Sequence, residues 1–347
     1  MMKTSLILFT MAAAAASQPA CLAANTPPSK DIVPHYHAVV LQTLPDEVYC
    51  IANGLNGSKI SVGCSQDQNR KNSPVTWSAK GGAAEALPGG PGAATAINET
   101  GVIVGTAANH ATLWKDRIAQ DLGVPSGTTR SEAMGVNAKG DVVGAASNAS
   151  GPRLPFLKSN GAVIKLLTLP TTWTGGAAEH INDAGVVVGK VEKASGVCHA
   201  VRWTDGVATD LGTLGGDHSE AQDINKAGVI VGAADISGNT AHACLWRDGK
   251  IHDLGVLTDG DTSIAHAVND DGVIVGVGDA SNAAIWIHDI AHNLNDLVLD
   301  EGFVLGNATA IDKDGDILAW GIVPGEDEVA RAVLLIPEKA AAPAAGK

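Results

Sequence analysis

Basic residues are scarce in this chain. Against 37 Asp and Glu there are only 23 Lys and Arg in 347 residues, a formal charge of -14. That deficit excludes nucleic acid or an anionic membrane surface as the partner, because both are bound through clustered cations. Long apolar runs are missing too. The longest, Ser5 to Ala16, falls short of the roughly 20 residues that a spanning helix needs. Catalytic signatures are equally absent: there is no Gly-x-Ser-x-Gly elbow, no His-Glu-x-x-His and no Cys-x-x-Cys. Gly185 to Lys190 is one residue short of a phosphate loop, so neither a nucleotide site nor a metal site is announced.

The N-terminus reads as a leader. Met1, Met2 and Lys3 give a cationic start, the apolar run follows, and Ala23 and Ala24 offer a small-residue cleavage site. Residues 1–24 are therefore expected to be a secretory signal peptide, sending the mature chain to the periplasm or outside the cell. A lipid anchor at Cys21 is not indicated, since Gln18 stands where an aliphatic residue is usual. Cys50, Cys64, Cys198 and Cys244 remain in an oxidising setting. Cys50 and Cys64 fall on neighbouring strands of one hairpin and are expected to form a disulfide. Cys198 and Cys244 are left open between a second bridge and two buried thiols.

A length near 350 is compatible with two domains or with one closed all-β architecture, and an internal repeat decides between them. The pattern Ala-x-x-(Ile/Val/Leu)-Asn-x-x-Gly-x-x-Val-Gly recurs with its anchor at Asn56, Asn98, Asn137, Asn182, Asn225 and Asn269, and with Asp312 in the same place. An alanine stands four residues before every anchor: Ala52, Ala94, Ala133, Ala178, Ala221, Ala265 and Ala308. Within each copy, Asn begins a tight turn because its side chain can bond the backbone two residues on, and Gly takes the positive φ that closes it. A third strand ends in Trp, as in His199-Ala-Val-Arg-Trp203, and an Asp-Gly turn leads to a fourth.

Four short strands per copy, repeated seven times at intervals of 39 to 45 residues, predict an all-β fold: a seven-bladed β-propeller of four-stranded antiparallel blades over residues 31–340. The seventh copy stops after its third strand. His37 to Leu44 resembles a fourth strand with no copy of its own, so the N-terminal strand is expected to close the ring. Residues 341–347 are expected to be a disordered tail.

These motifs make the chain recognisable. Asp210-Leu-Gly-Thr-Leu-Gly-Gly-Asp-His-Ser-Glu-Ala-Gln-Asp-Ile-Asn-Lys-Ala-Gly-Val-Ile-Val-Gly232, followed by His242-Ala-Cys-Leu-Trp246, resembles the bacterial extracellular HAF-repeat proteins. The resemblance spans nearly the whole mature chain and implies secretion and a repeat fold. It brings no catalytic residues with it. Departures are Thr112, Val201 and Cys244 in place of Phe, Lys59 for Gly in the first copy, and Lys158 and Leu335 for Trp in the third and seventh.

Candidate site residues come from where the repeat breaks. Two residues before the anchor stand Gly54, Ala96, Gly135, Ala267 and Ala310, but also His180 and Asp223. Near the axis only small side chains fit, so this pair is read either as a hydrogen-bonded bridge between blades four and five or as a polar site opening on the channel; both readings require contact. The variable loops of one face carry Trp173, Asp217, His218, Asp259, Asp261 and Glu301. Trp173 lies off the register of the packing tryptophans, which places it either in stacking on a ligand or folded back on its blade. His110, His199 and His242 recur at one strand position and are expected to make a repeated hydrogen bond. Asp312 to Asp316 misses the register of a calcium loop. No metal, cofactor or catalytic residue is assigned.

The reading that follows is an exported, monomeric, non-enzymatic binding module for a protein, a glycan or a small ligand. The alternative is a glycan hydrolase or lyase using His180, His218, Asp217 or Asp223 as acid and base.

Overall fold

The computed structural model describes residues 33–78, 82–159, 161–238, 240–257, 260–279, 282–325 and 330–338. The expected leader at 1–24, the tail at 341–347 and Asp259 lie outside the described residues. Seven antiparallel sheets of four strands follow one another along the chain, as the repeat predicts. Blade 1 is Tyr49–Leu55, Ser61–Gln66, Asn72–Trp77 and Glu85–Ala86. Blade 4 is Gly175–Ile181, Val187–Glu192, Cys198–Thr204 and Val207–Asp210. Blade 5 opens with the longer strand Gly215–Ile224. Strand order is sequential in six of the blades, the first strand innermost and the last outermost, and the seventh takes its outer strand from the N-terminal segment.

Closure is as the sequence predicts. Blade 7 supplies Val304–Ile311, Ile317–Ile322 and Ala330–Pro337, and Tyr36–Val40 adds the outer strand in the register Tyr36↔Pro337 to Val40↔Val333. The first and the last described strands are thereby held in one sheet, and the buried Tyr36 and Leu41 anchor the join.

Each anchor residue makes its turn as its chemistry dictates. Asn98 Oδ1 accepts the N–H groups of Thr100 and Val102, and Asn182 Oδ1 those of Ala184 and Val186. The glycine that follows is left-handed, at φ 80° in Gly101 and 85° in Gly185. In the first copy Lys59 takes that conformation, at φ 60°; its ammonium reaches across the ring seam to the buried Asp316 at 2.7 Å.

Packing between blades repeats as well. Five tryptophans are buried and donate Nε1–H to a carbonyl at the end of the preceding blade: Trp77 to Gln42, Trp114 to Pro88, Trp203 to Thr168, Trp246 to Leu211 and Trp286 to Leu254, at 2.6–3.1 Å. His110, His199 and His242 each bring Nδ1 to within 2.8–3.0 Å of a carboxylate in their own blade, from Asp121, Asp210 and Asp253. A serine completes the joint. Ser219 Oγ accepts from Ala200 N–H and donates to Gly212 C=O, as Ser131 and Ser263 do in their copies. This serine was not picked out of the sequence, although it stands seven or eight residues after the glycine of each Asp-Leu-Gly.

The expected Cys50–Cys64 disulfide is not formed, and none of Cys50, Cys64, Cys198 and Cys244 is in a disulfide. Cross-strand register explains it. Cys50 lies opposite Ser65, while Cys64 lies opposite Ile51, so the two side chains leave opposite faces of the hairpin. Cys50 packs into the core between blades 7 and 1, its thiol against Leu41 C=O at 3.4 Å. Burial pushes the Cys64 thiol up to about 11. Among the described residues no helix is long and apolar enough to cross a membrane.

Candidate functional site

The first strands of all seven blades surround a channel cavity of about 510 Å³. Every one of those strands carries a register shift between the residue four before the anchor and the residue two before it: Ala52/Gly54, Ala94/Ala96, Ala133/Gly135, Ala178/His180, Ala221/Asp223, Ala265/Ala267 and Ala308/Ala310. One residue is thus a β-bulge in each copy, and such a residue is left out of the ladder and re-aims its side chain. The alanines four before the anchor turn into the interface between blades and are fully or almost fully buried. Residues two before the anchor meet their counterparts around the axis. A Cβ on Gly54 would stand 3.0 Å from Ala96 Cα, and one on Gly135 3.0 Å from His180 Cα. That close approach is why small residues recur there.

The bulge residues form a ring inside the channel: Asn53, Thr95, Met134, Glu179, Gln222, His266 and Thr309. Sequence reasoning missed them, because a strand counted without its bulge assigns the channel only to alternate positions. Three of the seven are spent on holding blades together. Asn53 donates to Ala94 C=O at 2.9 Å, Thr95 to Ala133 C=O at 2.7 Å, and Thr309 to Ala52 C=O at 3.0 Å. Those three arise in blades 7, 1 and 2. On the opposite arc, in blades 3 to 6, Met134 only receives a 3.8 Å contact from Arg153 on its sulfur. No hydrogen bond or ion pair engages Glu179, Gln222 or His266. Burial, with the nearby Glu220 charge, pushes the Glu179 carboxyl above the usual range. Burial lowers His266, so that ring stays neutral at physiological pH.

One step along the channel lie His180 and Asp223, in contact as both sequence readings required, with Nδ1 2.8 Å from Oδ1. Asp223 also accepts the N–H of Ile224 at 2.7 Å and that of Val268 in blade 6 at 2.9 Å. Desolvation disfavours both charges, but the pairing outweighs it: His180 is held above the ordinary imidazole value and Asp223 below the carboxylate range. The pair both bridges blades and lines the cavity, with 35% of the His180 side chain and 15% of that of Asp223 exposed.

Toward the turn face the channel is bounded by the anchors themselves. Asn56 Nδ2 donates to Asn98 C=O at 3.1 Å, Asn98 to Asn137 at 2.8 Å, and the chain of bonds continues through Asn182, Asn225 and Asn269 to Asp312 C=O. At the seventh place Asp312 has no amide to donate. Its Oδ2 is buried without a partner.

The variable-loop residues do not join this centre. Trp173 folds back on blade 4, its ring 4.9 Å from that of His199 and under the Lys193 ammonium at 4.6 Å. Asp217 and His218 lie not in a loop but in the first strand of blade 5, and His218 Nδ1 stands 3.5 Å from Cys198 Sγ. Asp261 and Glu301 are exposed. No hydrogen bond or ring contact joins Trp173, His218 and Asp261 to one another. Among the described residues no cluster of three or more His, Cys, Asp or Glu has the arrangement of a metal site.

No protein-family model matches the chain, and neither does any curated protein sequence. Solved structures do. A puromycin hydrolase S511A mutant complexed with PGG is 14% identical, with a TM-score of 0.58, over 87% of this chain and 55% of its own. A Mycobacterium tuberculosis puromycin-hydrolyzing peptidase is 11% identical, with a TM-score of 0.55, over 88% and 56%. The chain thus spans little more than half the length of these two. The β-propeller domain of the Trilobed protease from Pyrococcus furiosus, said to have an open velcro topology, is 11% identical with a TM-score of 0.54, over 84% of this chain and 97% of its own. At such identities the likeness shows the fold alone. What fold and site together define is a closed seven-bladed β-propeller with an axial cavity whose wall mixes polar and apolar side chains.

Proposed function

We propose that this chain is an exported, non-enzymatic binding propeller of the HAF-repeat kind that holds a small polar ligand in its axial cavity. The observation that carries the reading is the uneven ring of bulge residues. One arc is consumed in stitching blades together, while Glu179, Gln222 and His266 in three successive blades present polar atoms to a cavity of about 510 Å³ and bond to nothing. Cavities of this size suit small molecules, and a few convergent polar groups are what orients them. The glycan-hydrolase alternative has less behind it. No Phe, Tyr or Trp lines the cavity to carry a sugar ring, and the neighbouring Glu132 and Glu220 are held by Arg153 and Lys190.

The test is calorimetric titration of the mature chain with polar metabolite-sized ligands, in parallel with Gln222→Trp, which fills the cavity from a position that makes no bond. A ligand that binds the wild type and is lost in the variant supports the reading; one that binds both alike refutes it. N-terminal sequencing of the protein recovered outside the cytoplasm is expected to begin near Ala24 or Asn25.

A further inference from the structure

The charges around the free arc of the ring do not balance. Toward the loop face of the channel, Glu132 is paired with Arg153 at 3.0 Å and Glu220 with Lys190 at 3.1 Å. Lys190 is further shared with Glu192 at 3.7 Å. Glu179 stands among these groups, feeling the charges of Glu220, Arg153, Lys190 and Glu132, yet no cation of the protein is its own. A carboxylate withdrawn from water without a partner is unfavourable, and an incoming positive charge relieves it.

Its two neighbours on the ring point to the same chemistry. Gln222 offers an amide carbonyl, and a neutral His266 offers a ring nitrogen as acceptor. The cavity wall beyond is acidic as well: with His180 and Asp223 paired to each other, Glu99, Asp183, Asp270 and Asp312 outnumber Lys226 and Lys313. Lys226 is already bound to Asp270 at 2.8 Å, and Lys313 to Asp314 at 2.7 Å. Such a wall repels phosphates and carboxylates. The wall also lacks the aromatic cage that selects quaternary ammonium groups.

We propose that the axial cavity takes a slender organic cation bearing N–H donors, an aliphatic amine or a guanidinium, with its charged nitrogen against Glu179 and its remaining donors on Gln222 and His266. This rests on the cavity being the binding site, and the two claims fail differently.

The experiment is titration of the mature chain with spermidine, agmatine, choline and 1,4-butanediol, for the wild type, Glu179→Gln and Gln222→Trp. Spermidine or agmatine is expected to bind the wild type at moderate salt, and to bind more tightly as pH rises through the titration of Glu179. Glu179→Gln is expected to weaken binding about 10- to 100-fold, the loss of one charge-assisted hydrogen bond. Choline, which has no N–H, is expected to bind more weakly than agmatine. Two results overturn the cationic ligand and leave the cavity standing: butanediol binding as tightly as the amines in a manner lost in Gln222→Trp, or amine binding lost in Gln222→Trp but unchanged in Glu179→Gln. Amine binding that survives both substitutions and vanishes with salt marks general attraction to an acidic surface, and overturns both. Failure of every probe to bind at millimolar concentration overturns the proposal as well.

Discussion

Replacing Asp312 with Asn should stabilise this protein, and more strongly at neutral than at acid pH. Six anchors donate a side-chain amide to the next anchor's carbonyl around the axis, and the seventh, Asp312, has a buried Oδ2 with no partner. The substitution keeps what the carboxylate does. Its Oδ1 accepts from Asp314 N–H and Asp316 N–H at 2.9 Å, as the asparagines do in their turns. What changes is that an amide replaces an acceptor at the seam with blade 1. Burial, then the charges of Asp316 and Asp314, push the Asp312 carboxyl from 3.8 up to about 6, against the pull of its two N–H bonds. Lys59 faces the group from blade 1 but is taken by Asp316, and Lys313 by Asp314.

The sign follows from which state holds the proton. Below pH ~4 Asp312 is protonated both folded and unfolded, and it costs nothing. Between the unfolded value and about 6 the folded chain binds more protons, so stability falls as pH rises; above that the penalty is complete. Raising the carboxyl from 3.8 to about 6 is worth about 3 kcal/mol, shared with the interacting Asp316. The new amide bond adds about 1 kcal/mol. Asp312→Asn is therefore expected to gain about 2 to 3 kcal/mol at pH 7.5 and about 1 kcal/mol at pH 4, read from urea unfolding followed by tryptophan fluorescence. A gain that does not vary with pH, or a loss at neutral pH, refutes the account.

Three further outcomes are expected. Asp223→Asn should lower the pKa of His180, measurable by NMR titration of the ring, and reduce stability by about 1–3 kcal/mol, discounted for the exposed part of the imidazole. Because His180 is raised and Asp223 lowered, the pair's contribution should fade both as pH climbs through the folded value of His180 and as it falls through that of Asp223; an unmoved His180 titration contradicts the pairing. Ser219→Ala leaves the Ala200 N–H and the Gly212 C=O unpaired, and should cost about 1–3 kcal/mol in denaturant unfolding; no change means that another group satisfies both. Deleting residues 33–41 removes the outer strand of blade 7 with the buried Tyr36 and Leu41, and should give an opened ring that self-associates through the bared Ala330–Pro337 edge in size-exclusion chromatography; a stable monomer with an unchanged melting curve refutes closure by that strand.

Fold and site were legible to different depths. His180 and Asp223 stood out as a pair because they interrupt a row of small residues, and they do meet. Glu179, Gln222 and His266 did not stand out, although a position that varies among the copies was visible as Asn53, Thr95, Met134, Glu179, Gln222, His266 and Thr309. Nothing in a single copy says that this position is a bulge, since the distortion arises from strand pairing at the crowded axis. The expected disulfide failed for a related reason: hairpin spacing places Cys50 and Cys64 on adjacent strands, but a one-residue difference in register puts them on opposite faces. Trp173 lies off the packing register in the sequence, which left stacking on a ligand and folding back both open, and the nearby Lys193 and His199 decide that it folds back.

The sequence by itself determined the number of blades, the four strands in each, the Asn-Gly turns and the N-terminal strand that completes the ring. These are properties of each repeat and of its incomplete last copy, so periodicity and turn chemistry suffice to read them. Only the tertiary structure decided which side chains face the channel, which thiols stay apart, and where the amide ring is interrupted by a carboxylate. Those depend on the bulge in each innermost strand and on the blade that comes to lie beside it across about 40 residues of chain, a neighbour that no local pattern names.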